Sequence, residues 1–123
     1  MSSINECLQE AMSMDGAIGI ALVDSSSGLC LGSVGGGNVD LELAAAGNTE
    51  FVRAKQRIRD QLQIPDRIED IVITLETQYH LIQMSQENEK MFFYFVVDRA
   101  KSNLGLARVT LKKVDRMLEA IEV

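Results

Sequence analysis

Few side chains in this sequence could carry out chemistry. His80 is the only histidine, and an acid–base or metal-binding role would need a second histidine or clustered cysteines beside it. The acidic pairs Glu69–Asp70 and Glu87–Glu89 fall in predicted turns or strand ends, where solvation explains them better than paired catalysis. The motifs Gly-x-Ser-x-Gly, His-Glu-x-x-His and Cys-x-x-Cys do not occur. The sequence therefore predicts a protein that is not an enzyme and that uses no metal or other cofactor.

A glycine-rich segment, residues 32–37, stands ahead of a predicted helix. Amide groups at a helix N-terminus attract anions, so a phosphate cradle is one reading of this segment. The glycines are not followed by Lys-Ser or Lys-Thr, and no Gly-x-Gly-x-x-Gly is present. We therefore favour a flexible connection between a strand and a helix.

The bulk properties describe an ordinary globular protein. With 123 residues, the chain is expected to form a single domain over 1–123 that buries about two thirds of its unfolded surface. No apolar run reaches the roughly 18 residues of a membrane span, and residues 1–5 do not resemble a secretory signal. We therefore expect a cytoplasmic protein that does not associate with membranes.

The net charge bears on possible partners, and the two cysteines bear on redox chemistry. A formal net charge of −6 argues against nucleic-acid binding, because attraction to phosphates requires a basic surface. Cys7 falls in a predicted helix and Cys30 in a predicted strand, and buried structural thiols are the favoured reading of both. A disulfide or a redox role is the alternative.

The order of elements predicts an α+β fold. Ser3 and Glu6 form a capping box, so a first helix starts there, and Gly16 marks its end. The predicted strands cover 17–23, 29–34, 68–75, 79–85 and 91–97, and a long helix covers 38–62. A last helix starts at Ser102 or Asn103 and continues to Ile121. This αββαβββα order predicts a five-stranded antiparallel sheet with helices on both faces.

The long helix at 38–62 carries two rows of residues, about 120 degrees apart, where a surface helix needs one. We assign the first row to the protein's own core: Leu43, Ala44, Gly47, Phe51, Ala54, Ile58 and Leu62. The second row lacks an obvious partner within the chain: Leu41, Ala45, Asn48, Val52, Gln56 and Arg59.

Three stretches resemble the roadblock family of small dynein-light-chain-like and GTPase-regulating domains. The first is Met14-Asp-Gly-Ala-Ile-Gly-Ile-Ala-Leu-Val-Asp24, with 28–31 following, and the second is the alanine-rich part of the long helix, 43–46. The third joins the last strand to the last helix: Phe95-Val-Val-Asp98, then Ser102-Asn-Leu-Gly-Leu-Ala-Arg108. The resemblance covers nearly the whole chain and implies the sheet order 2-1-5-4-3.

The resemblance also implies an assembly and a partner. Similar domains pair through the long helix and the following edge strand, here 68–75. The predicted homodimer interface therefore consists of Leu41, Ala45, Asn48, Val52, Gln56, Arg59, Ile71 and Ile73. The implied partner is a small Ras-like GTPase. Basic residues are concentrated in the back half of the long helix without forming one patch, and three of them could dock this partner: Arg53, Lys55 and Arg57.

Alternative readings stay open at this point. The second row of the long helix could pack against another element of the same chain, and these basic residues could be a solvated helix end. A purely structural dimeric scaffold is one alternative function. A small-molecule sensor domain is another, and a cavity of several hundred cubic ångströms would favour it.

Overall fold

A computed structural model describes residues 3–120 of the chain. The elements follow in the order α1 (Ile4–Met12), β1 (Ala17–Asp24), β2 (Leu29–Gly35), α2 (Leu41–Gln61), β3 (Asp70–Thr74), β4 (Gln78–Met84), β5 (Met91–Asp98) and α3 (Leu104–Glu119). The five strands form one antiparallel sheet in the order β2-β1-β5-β4-β3. The predicted α+β class, element order and sheet order are all confirmed.

The two central strands, β1 and β5, form the middle of the core. Both are continuous apolar runs, and Ile20 to Val23 and Phe92 to Val97 are buried on both faces of the sheet. Strands of this kind lose more water contact than alternating strands, so they occupy central positions. Their pairing across the middle of the sheet brings the first and last thirds of the chain together.

Helices α1 and α3 lie together on one face of the sheet. The capping box is present at the start of α1: the Glu6 amide donates to Ser3 Oγ, and the Ser3 amide donates to Glu6 Oε1. Asn103 caps α3 by accepting a hydrogen bond from the Leu106 amide at 2.7 Å. The apolar side chains of α3 that face this core include Leu104, Ala107, Leu111, Val114 and Leu118, and Ile121, where the predicted helix ends, lies outside the described residues.

Helix α2 lies alone on the opposite face, over β1 and β2. Its N-cap is Asp40, whose carboxylate accepts a hydrogen bond from the Leu43 amide at 3.0 Å, so the helix starts at Leu41 and not at the predicted residue 38. The helix ends at Gln61, close to the predicted boundary, and Gln63 then adopts a positive φ of 59°.

The glycine-rich segment is a strand and a close backbone contact, not a phosphate cradle. Residues 32–35 belong to β2, and helix α2 starts only at Leu41. Gly36 packs so closely on β1 that a Cβ at Gly19 would lie 2.6 Å from the Gly36 Cα. The start of α2 is already occupied by the acidic cap Asp40, which opposes a bound anion.

Candidate protein-interaction surface

The structure reverses the assignment of the two rows on α2. Leu41, Ala45 and Val52 were predicted to meet a second copy, but all three are buried in the chain's own core. Thr49 is buried with them, and its hydroxyl donates to the Ala45 carbonyl at 2.8 Å. The predicted interface role is therefore wrong for Leu41, Ala45 and Val52.

The row that was assigned to the core is the exposed one. Its large members are Leu43, Phe51, Ile58 and Leu62, which are 71%, 38%, 46% and 64% exposed. Periodicity gives the angle between two rows but does not say which row faces the sheet. The inward row lets the helix approach the β1–β2 turn closely: the Ala46 Cα and the Thr49 Cβ lie 3.9 Å from a Cβ built at Gly28.

Contacts at the two sides of α2 show which way the exposed row faces. On one side, Arg53 reaches the turn between β1 and β2 and donates to the Ser26 carbonyl at 2.6 Å. On the other side, Asn48 lies near the hydroxyl of Tyr94 on β5. Phe51 lies about 60 degrees further round the helix than Asn48, on that same side. The exposed row therefore faces the half of the sheet that contains β4 and β3.

The edge strand β3 adds a second unpartnered feature beside this row. In the sheet formed by residues 3–120, β3 pairs with β4 alone. Ile71 and Ile73 are half-buried and stand on the same face of the sheet as α2, where Ile71 packs against the α2 core. We call this combination of the exposed α2 row and β3 the α2–β3 surface.

The remaining predicted residues lie around the α2–β3 surface without forming one patch. Asn48 and Gln56 are half-buried, and Arg59 forms an ion pair with Asp60 at 2.9 Å. Lys55 and Arg57 are exposed, and neither has an ion-pair partner among residues 3–120. Arg53 is exposed as well, but its guanidinium is bound to the β1–β2 turn.

His80 lies beneath the α2–β3 surface and makes two hydrogen bonds. Its Nδ1 is 2.9 Å from the Tyr94 hydroxyl, and its Nε2 is 2.9 Å from Gln78 Oε1. A neutral ring satisfies both contacts if the hydroxyl donates to Nδ1 and Nε2–H donates to the amide oxygen. Burial lowers the pKa of His80, which favours this neutral form.

The fold does not bring the other candidate residues together into a site. Within the described residues, no group of three or more His, Cys, Asp or Glu side chains is placed to hold a metal ion. Cys7 is buried and Cys30 half-buried, and both are free thiols, so the predicted disulfide alternative does not apply to this structure. Asp70 forms an ion pair with Arg108, while Glu69 is exposed.

Between residues 3 and 120, none of the helices is both long enough and apolar enough to cross a membrane.

Sequence reasoning missed four buried polar residues, Thr49, Gln83, Ser85 and Asp115, of which the first two lie next to the features described above. Thr49 lies on the core side of α2, and its i−4 spacing to Ala45 is the signal that could have placed it there. Gln83 is buried at the α3 side of β4. Gln83 is two residues from Leu81, and this spacing places both side chains on the same face of β4. The spacing does not show what a polar amide on that face would contact.

Together these features define a class: a small α+β domain with one helix alone on a sheet face and an open edge strand beside it. No family model matches the sequence, and no curated protein matches it. Solved structures do match. A roadblock/LC7 domain from Streptomyces avermitilis has a TM-score of 0.84 at 8% identity, over 97% of each chain. Myxococcus xanthus MglB has a TM-score of 0.76 at 19% identity, over 96% of each chain.

A further solved structure, described as MglB with tetrameric arrangement, has a TM-score of 0.80 at 20% identity, covering 94% of this chain and 84% of that one. At these identities the likeness concerns the fold. The chain has the roadblock fold, as the sequence resemblance implied.

Proposed function

We propose that this protein is a non-enzymatic, homodimeric cytoplasmic adaptor that binds a small Ras-like GTPase. The observation that carries the homodimer is the α2–β3 surface. It combines exposed leucine, phenylalanine and isoleucine side chains with a strand edge whose hydrogen-bonding groups lack a strand partner. Exposed apolar rows and open edges of this kind are typical of surfaces that are covered in an assembly.

The proposed interface differs from the sequence-based one in its helix residues. The exposed row that contains Phe51 and Ile58 replaces the buried Leu41, Ala45 and Val52. Ile71 and Ile73 keep their predicted role, because β3 is an edge strand. A two-fold axis beside β3 would place the exposed row of one copy near the half-buried Ile71 and Ile73 of the other.

Two further points support an assembly of this type. The fold of this chain is similar to that of MglB, and one solved structure of MglB is described with a tetrameric arrangement. That arrangement is a property of MglB. The GTPase partner rests on the resemblance to GTPase-regulating roadblock domains, together with the basic end of α2.

Lys55 and Arg57 are the better candidates for docking the GTPase. Both are exposed and without an acidic partner among residues 3–120, so they are available to an acidic surface. Arg53 is already engaged by the Ser26 carbonyl. An exposed and unpaired basic side chain accelerates association with an acidic partner, in a manner that depends on ionic strength.

The dimer is tested by the mass in solution. We expect the wild-type protein to have twice the 13.6 kDa of the chain by light scattering at tens of micromolar. The double variant Phe51→Glu/Ile58→Glu should run as a monomer, with dimerisation weakened about 100-fold or more, because two carboxylates would lose water at the interface.

Val109→Glu is the matched control. Val109 is 63% exposed on α3, on the other side of the sheet, so this variant should stay dimeric. A monomeric wild type would overturn the homodimer. A double variant that stays dimeric while folded would move the interface away from the α2–β3 surface.

The GTPase partner is tested by capture with purified small Ras-like GTPases from the same organism, loaded with GDP or with a GTP analogue. We expect one of them to bind, and Arg57→Glu to weaken that binding without changing the dimer mass; Lys55 is left unchanged because it stands one helical turn from Phe51, within the proposed dimer interface. A hydrolysis assay on the captured GTPase then shows whether the protein alters its rate. Failure to bind any of them would leave a dimeric scaffold as the function.

A further inference from the structure

A polar cavity lies on the face of the sheet opposite α2, between α3 and the ends of β3 and β4. Its volume is about 330 Å³, within the lower range of small-molecule sites. The side chains that matter for its chemistry come from three segments: Arg67 before β3, Gln83 on β4, and Arg108 and Lys112 on α3. Arg108 and Lys112 stand one helical turn apart, so both face the cavity from the same side of α3.

Gln83 lines the cavity with an unused hydrogen-bond acceptor. The side chain is only 4% exposed, and its Oε1 atom is buried without a partner among the described residues. A buried amide oxygen in this state requires a donor from the cavity, either an N–H or an O–H group. A water molecule takes up roughly 30 Å³ in the liquid, so the space exceeds that of a single bridging water.

The basic side chains that line the cavity differ in how many of their N–H groups already have a partner. Arg108 is committed to Asp70 through two contacts, at 2.9 Å from Nε and 3.4 Å from Nη2. Arg67 uses Nη2 to donate to the Ser85 carbonyl at 3.1 Å. Lys112 has no acidic partner within ion-pair distance among residues 3–120. Lys112 and the remaining N–H groups of Arg67 are therefore available to an anion.

We propose that this cavity binds a small hydroxycarboxylic acid. The carboxylate pairs with Lys112 and Arg67, and the hydroxyl donates to Gln83 Oε1. A hydroxyl suits the site better than an ammonium group, because three cations already face two carboxylates, Glu69 and Asp70, in the lining. The site would make the protein a sensor of a metabolite class, and it does not depend on the dimer or on the GTPase.

Titration of the full-length, ¹⁵N-labelled protein with L-malate tests the site, with succinate as the matched acid that lacks the hydroxyl. We expect malate to shift the side-chain amide signals of Gln83 and the backbone signals around Gln86 and Lys112. Succinate should bind about fivefold more weakly, because it has no hydroxyl to donate to Gln83.

Variants assign the two contacts separately. Lys112→Ala should weaken the binding of both malate and succinate. Gln83→Met should remove the preference for malate over succinate. If Gln83→Met does not fold, the ratio of malate to succinate affinity in the wild type carries the test. Lys113→Ala is the control, because Lys113 pairs with Glu10 at 2.9 Å, and neither residue lines the cavity.

Three outcomes would overturn the proposal. The first is equal binding of malate and succinate, which would show that the hydroxyl is not recognised. The second is the absence of shifts at Gln83 and Lys112 at tens of millimolar malate. The third is equal weakening by Lys112→Ala and Lys113→Ala, which would show a general electrostatic effect. None of them bears on dimerisation or GTPase binding, which are measured independently.

Discussion

His80 shows how a residue without catalytic partners still has a defined protonation state. Its two ring nitrogens form hydrogen bonds with Tyr94 and Gln78. In an imidazolium, Nδ1 would carry a proton and could no longer accept the hydrogen bond that the Tyr94 hydroxyl donates. The ring is therefore held neutral by its surroundings as well as by burial. A sequence with one histidine gives no access to this arrangement, because the contacts come from β4 and β5 after they pair.

This arrangement predicts a dependence of stability on pH. Burial lowers the pKa of His80 in the folded state, so the unfolded chain takes up a proton near its ordinary pKa of about 6.5 before the folded chain does. The free energy of unfolding should therefore fall as the pH is lowered through 6.5 and below, until the folded ring also titrates. Urea unfolding at a series of pH values between about 7.5 and 5.5 measures this.

The control is His80→Gln in the same series. Its free energy of unfolding should decline less over this interval, because most carboxyl groups titrate at a lower pH. Equal declines in the wild type and in His80→Gln would contradict the assignment.

At the scale of elements, helix α2 shows where periodicity loses information. Its two rows were recognised from spacing, but their roles were exchanged. The larger side chains of one row favoured a core assignment by hydrophobicity alone. In the structure, the row with Ala45, Thr49 and Val52 faces the sheet because it allows the helix to approach the strands. A polar residue such as Thr49 is accommodated there by a bond to its own helix.

Two adjacent substitutions separate the two rows. Val52→Asp should abolish cooperative folding or lower the free energy of unfolding by about 3–5 kcal/mol, because it buries an unpaired carboxylate. Phe51→Asp should keep the helical circular dichroism signal and a cooperative urea transition, since Phe51 is exposed in the monomer. Circular dichroism with urea titration measures both. If Phe51→Asp unfolded the protein and Val52→Asp did not, the row with Phe51 would be the buried one.

At the scale of the whole molecule, the α2 side of the sheet is least covered at its β3 edge, where Ile71 and Ile73 are half-buried, whereas Ile82 on β4 is fully buried. Helix α2 covers β1 and β2, while α1 and α3 share the other face. The β3 edge, together with the exposed row of α2, is where a second copy would complete the packing. A protein whose core is completed by association has a stability that depends on its concentration.

This predicts a melting temperature that rises with protein concentration. For a homodimer of this size, each tenfold increase in concentration should raise Tm by roughly 2–5 °C. Scanning calorimetry from about ten micromolar to one millimolar measures the change. The Phe51→Glu/Ile58→Glu variant should have a Tm that does not vary with concentration. A wild type with a constant Tm would contradict dimer-linked stability.

The sequence by itself determined the elements, their order and the central place of β1 and β5. Capping residues, apolar spacing and continuous apolar runs are local signals, and they act before the chain is folded. The resemblance at the junction from Asp98 to Arg108 supplied the sheet order, which spacing alone does not give. Asn103, the first residue of its Asn-Leu-Gly-Leu, is the cap of α3 in the structure.

Only the tertiary structure decided which row of α2 is buried, how His80 is bonded and where Gln83 faces a cavity. Each of these depends on contacts between segments far apart in the chain, such as Gln83 on β4 with Arg108 and Lys112 on α3. A helix with two apolar rows satisfies local rules in either orientation, and the sheet selects one of them by close packing. The surface left exposed by that selection is where we expect the second copy to bind.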